Sequence, residues 1–172
     1  MIIKKGYTLI VLVFAVFLLS LSLLVAVPIF QTQIQREKEE ELIFRGKQYV
    51  EAIRIFQMKH PGKFPESLDR LVKEKCLRRF YKDPMTERGE WNIIFPHQGI
   101  STKKGRSPQK ILVAPFGVLS SIDNPQIIGV VSSSSQGSIK IFHNQKTYDK
   151  WLFFYGQDPE KMPEIIYYGK KE

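Results

Sequence analysis

From residue 7 to residue 30 the chain reads YTLIVLVFAVFLLSLSLLVAVPIF, without one charged side chain. A helix over this run, at about 1.5 Å per residue, reaches ~36 Å and crosses a ~30 Å hydrocarbon core with some tilt. Lys4 and Lys5 stand at its start, and the positive-inside rule predicts a cytoplasmic N-terminus with the rest of the chain on the far side. Residues 31–41, QTQIQREKEEE, follow. They are polar all round and rich in helix formers, a pattern suited to a helix bridging from a membrane to a packed domain. From Leu42 the pattern turns amphipathic, with Leu42, Gly46, Tyr49, Ile53 and Phe56 recurring at steps of three and four. Val50 and Ala52 widen the stripe. Gly46 costs a helix interior about 1 kcal/mol relative to alanine, which predicts close approach of a sheet to the helix backbone there. His60-Pro61-Gly62 stops the pattern. Residues 7–59 thus predict one helix of about 80 Å, apolar first and amphipathic last.

Beyond it the periods shorten. Phe64-Pro65-Glu66-Ser67 opens a short helix with Leu68, Leu71 and Val72 as its buried face. Arg78-Arg79-Phe80-Tyr81 leads into a turn at Asp83-Pro84-Met85-Thr86. Strands are predicted at residues 91–95, 111–116, 127–131, 138–143 and 148–155, with a polar loop over 97–110 and a turn at 144–147. The tail from Gly156 is polar, and residues 165–168 have no assigned place. Short strands after helices predict a small antiparallel sheet folded onto the amphipathic part of the long helix, an α+β fold.

Two bland readings use the same apolar run. A secretory signal peptide could end at Ala26, although the uncharged run exceeds the usual apolar region. A plain single-pass anchor needs nothing but the hydropathy.

Composition narrows the chemistry. The 172 residues carry Lys+Arg 26 against Asp+Glu 17, a formal charge of +9. Such a balance suits anionic surfaces, acidic partners or nucleic acid, and equally a solvated surface. Cys76 is the only cysteine, so no internal disulfide can form and packing alone must hold the domain. His60, His97 and His143 lie far apart, and no nucleophile, metal or phosphate motif occurs. No catalytic residue, cofactor or metal site is expected, and the chain does not read as an enzyme. Asp158, Glu160 and Glu164 lack the compact spacing of a calcium loop, which needs six or more oxygens. Lys103, Lys104, Arg106 and Lys110 form a candidate basic binding loop. It has no aromatic residue between its charges on which single-stranded bases could stack, so nucleic acid is a partner kept open but not favoured.

Lys4-Lys5-Gly6 followed by Tyr7-Thr8-Leu9-Ile10 resembles the processing site of type IV prepilins and type II secretion pseudopilins. Pro28 falls where helices of that family carry a kinking proline. The runs EELIFRGKQYVEAI (40–53), FPESL (64–68) and DPMT (83–86) also resemble predicted type II secretion proteins. The resemblance implies a leader over 1–6, cleavage between Gly6 and Tyr7 by a prepilin peptidase, and N-methylation of Tyr7. It further implies a transmembrane half of the long helix over 7–30 and an exported pilin-like globular domain over 31–172. The protein would sit in the inner membrane, its C-terminal domain periplasmic, and assemble with other pseudopilin subunits. The family normally carries a glutamate five residues after the glycine, where this chain has Val11. That departure implies a minor or tip subunit. The alternatives under this resemblance are a DNA- or substrate-binding minor pilin and an unprocessed membrane-anchored domain.

Overall fold

A computed structural model describes residues 5–96, 110–122, 124–158 and 160–169, with backbone alone at 5–6, 24–29 and 120. The chain divides into two compact units, Met1–Glu37 and Lys38–Glu172. Helix α1 (Lys5–Lys59) supplies the described part of the first unit and opens the second. Its helical assignment continues through Pro28. Among the described residues no helix is long and apolar enough to cross a membrane.

The second unit is α+β, with the amphipathic part of α1 packed on a sheet. Leu42, Tyr49, Ile53 and Phe56 are all buried, as the stripe predicts. Gly46 explains itself: a Cβ built there would lie 2.4 Å from the Phe153 ring, so only glycine lets the helix and that ring meet. Helix α2 (Leu68–Lys73) is capped by Ser67, whose Oγ accepts from the Arg70 N–H at 3.3 Å. Leu68 and Leu71 face the core, and Val72 is half-buried.

Strands β1 (Trp91–Pro96), β2 (Lys110–Pro115) and β3 (Gly129–Ser132) confirm the first three apolar runs. Both faces of their sheet are covered, which is why they read as apolar runs rather than alternations. Trp91, Ile93, Phe95 and Val130 pack toward α1. Ile94, Ile111, Val113 and Val131 pack on the other face with Leu152, Phe154, Met162 and Ile165.

Three expectations need correcting. Residues 144–147 are not a turn throughout. Strand β4 (Gly137–Phe142) turns tightly at His143 and Asn144, with φ of 47° and 62°, into β5 (Gln145–Thr147), a hairpin separate from the main sheet. Two consecutive positive φ angles match the strand twist and bring β5 back after only two residues. Residues 148–155 are not one strand either. A 3₁₀ turn (Tyr148–Lys150) places the aromatics, and only β6 (Phe153–Phe154) pairs, with β3. Lastly, the sheet is mixed. Residues 164–167 form β7 (Glu164–Tyr167), which lies parallel to β2 at the edge of the order β6-β3-β1-β2-β7. A parallel pairing needs a long crossover, and the intervening β3 to β6 provides it.

Candidate functional site

The feature of the first unit that calls for a function is the surface of α1. Every side chain from 7 to 23 is exposed, and the run includes Leu9, Ile10, Leu12, Phe14, Phe17 and Leu19. Monomeric soluble proteins rarely present contiguous apolar area on this scale without a partner or a membrane. Its two serines are internally satisfied: Ser20 Oγ donates to Val16 O at 2.8 Å and Ser22 Oγ to Leu18 O at 3.1 Å. Hydroxyls closed onto their own helix in this way leave no donor needing water.

Gly6 and Tyr7, the residues of the expected processing site, both fall within the described part of α1. The Tyr7 side chain is 70% exposed. Tyr7, Val11, Ala15 and Leu19 follow one another along a single helical face. Val11 is exposed there and offers no charge.

Of the candidate basic loop only Lys110 falls among the described residues. Lys103, Lys104 and Arg106 lie outside the described residues, while Lys110 begins β2 and pairs with Glu164 at 3.0 Å. The same ion pair takes Glu164 away from Asp158 and Glu160. Asp158 instead accepts the Glu160 N–H at 3.0 Å in a local turn. Among the described residues no group of three or more His, Cys, Asp or Glu could hold a metal ion.

Two buried carboxylates were not foreseen. Glu39 lies in the stretch read as polar all round, yet it is fully buried. Its carboxylate accepts from Ile139 N–H at 2.7 Å, Lys140 N–H at 2.9 Å and the Tyr148 hydroxyl at 2.8 Å. Glu40 beside it pairs with Lys140 at 2.6 Å, and that hydrogen bond holds its carboxyl below the usual range. Together they tie the β4–β5 hairpin to α1. The signal was available: Glu39 is three positions before Leu42 and therefore on the buried stripe.

Asp83, in the DPMT turn, accepts from Ser132 Oγ at 2.7 Å and from Met85 N–H at 2.8 Å. Burial pushes its carboxyl above the usual range, against those hydrogen bonds. Nearby, Tyr49 Oη donates to Tyr81 O at 2.8 Å and accepts Tyr81 N–H at 3.1 Å. Trp91 Nε1 donates to the same carbonyl at 2.9 Å. Burial pushes the Tyr49 phenol up to about 12, so it stays protonated and able to donate. The turn signal at 83–86 therefore marks a buried polar anchor joining α1, the segment before β1, and β3. Comparison with protein-family models, curated proteins and solved structures finds no match to this chain.

Proposed function

We propose that the chain is a pseudopilin-like structural subunit of a type II secretion or related pilus-like envelope machine. A prepilin peptidase cuts it between Gly6 and Tyr7, Tyr7 is N-methylated, and residues 7–30 hold it in the inner membrane with residues 31–172 in the periplasm. It then assembles with other such subunits through α1. The observation that carries this reading is the change along one helix: apolar side chains exposed at 7–23, then a face buried on a sheet from Leu42 to Phe56. A helix built this way uses its second half to fold and keeps its first for lipid or for neighbouring helices. The self-satisfied Ser20 and Ser22 and the resemblance around Gly6 add to it.

Val11 refines the role. In the resembling family the glutamate at this position is thought to pair with the N-terminal ammonium of the adjacent subunit. A carboxylate at a helix centre in lipid costs about 2.5–3.5 kcal/mol, so it persists where a partner offsets that cost. This chain can accept such a pairing at Tyr7 and cannot offer one from Val11, which suits an end position. Intact-mass measurement of membrane-extracted protein tests the core of the proposal. The expected mass lacks residues 1–6 and carries one methyl group on Tyr7. An uncut chain, or one beginning at Val27, would remove the reading in favour of a plain anchor or a signal peptide.

A further inference from the structure

The segment between α2 and β1 carries a surface that neither the fold nor assembly through α1 uses. Residues 73–82 read KEKCLRRFYK. After α2 the backbone turns left-handed at Lys75, φ 56°, and the N–H groups of Cys76 and Leu77 both donate to Leu71 O, at 2.9 and 3.0 Å. Cys76 and Leu77 are buried beneath it. Farther along, Tyr49 and Trp91 hold the Tyr81 backbone, and Arg45 Nη1 donates to Lys82 O. The segment is therefore pinned at both ends, and Lys73, Lys75, Arg78, Arg79 and Lys82 are turned to solvent. None of these five forms an ion pair among the described residues. The one acid in the segment, Glu74, is engaged by Arg70 and His60.

Exposed aromatic rings adjoin these cations. Phe80 is 41% and Phe44 55% exposed. Phe44 meets the Tyr81 ring at 6.5 Å and Phe80 meets Phe116 at 6.2 Å, and the Arg79 guanidinium lies 5.3 Å from the Tyr81 centroid. We propose that the cationic segment 73–82, with the exposed Phe80 ring among its charges, docks a partner protein whose surface is acidic around an apolar side chain. Aromatic and arginine side chains dominate the centres of protein interfaces, and complementary charge steers the encounter.

The ring geometry argues against single-stranded nucleic acid. The Phe44–Tyr81 and Phe80–Phe116 pairs stand at 86° and 80° to one another. Neither pair offers successive parallel faces to stacked bases. Charge argues against a second copy, because a chain of formal charge +9 brings mainly like charge to a cationic surface.

The test uses the full-length chain in zwitterionic detergent and fluorescence anisotropy with three labelled probes. These are a peptide alternating Glu, Asp and Leu, an all-Glu peptide of equal length, and an oligothymidylate of equal charge. The mixed peptide should bind tightest. Arg78→Glu with Arg79→Glu should weaken it by about tenfold or more, and Phe80→Ser should reduce it to the all-Glu level. All three positions are exposed, and a thermal melt by circular dichroism confirms that the variants stay folded. Oligothymidylate binding as tight as the mixed peptide would assign the patch to nucleic acid. Loss of peptide binding on adding phosphatidylglycerol to the micelles would assign it to lipid headgroups. No binding, or binding unchanged by the substitutions, would remove the docking surface. The outcome does not depend on cleavage at Gly6, so an uncut chain that binds the peptide would refute the assembly role and leave this surface standing.

Discussion

Glu39 is a charged side chain at a core position, and it is tolerated because three donors converge on its carboxylate. Replacing it with alanine leaves the N–H groups of Ile139 and Lys140 and the Tyr148 hydroxyl without this acceptor. The expected cost is at least about 1.5–3 kcal/mol, the worth of one hydrogen bond to a charged group. Glu39→Gln, which keeps one acceptor oxygen, should fall between the two. Denaturant unfolding followed by tryptophan emission measures this, since Trp151 directly follows the 3₁₀ turn and its Nε1 donates to Gln145 O of β5 at 3.1 Å. An alanine variant within about 0.5 kcal/mol of the parent would mean that the hairpin is held by its apolar contacts alone. The residue was legible as a position on the stripe, while its three donors come from a hundred residues away and no local pattern names them.

At the scale of elements, α1 meets the sheet through the one position that lacks a side chain. Gly46→Ala gains about 1 kcal/mol of helix propensity but sets a methyl group 2.4 Å from the Phe153 ring. Overpacking of this kind costs about 1–3 kcal/mol, so the variant is expected to be less stable despite its better helix. Adding Phe153→Leu should recover part of the loss, because it removes the ring the methyl strikes. A single variant more stable than the parent in thermal unfolding would show that the ring shifts aside freely. The stripe on α1 and the buried face of α2 were legible because both are set by neighbours three or four residues away. The hairpin and β7 were not, because β5 is three residues long and β7 is defined only by pairing with β2.

At the scale of the whole molecule, charge and Val11 bear on copy number. Under the proposed assembly, a basic chain with no carboxylate at position 11 would be poorly suited to stacking on itself many times. If the proposed assembly role holds, quantitative mass spectrometry of isolated fibres should find one copy of this chain per fibre, and labelling should find it at an end. Many copies along the shaft would mean that apolar helix packing suffices without the ion pair, as membrane helices generally allow. Val11→Glu supplies the missing carboxylate and should let the chain enter the shaft.

The sequence alone determined the elements that repeat locally: one long helix that is apolar and then amphipathic, a short second helix, and the apolar runs of β1 to β3. Helical and strand periods are written within a few residues, so hydrophobic pattern suffices to read them. Tertiary structure decided the mixed sheet, the detached hairpin, the burial of Glu39 and Asp83, and the meetings of Phe44 with Tyr81 and of Phe80 with Phe116. Each of these depends on groups distant in sequence meeting at hydrogen-bond or van der Waals range. A carboxylate reads as solvated until its donors arrive, and an edge strand reads as tail until it has a neighbour to pair with.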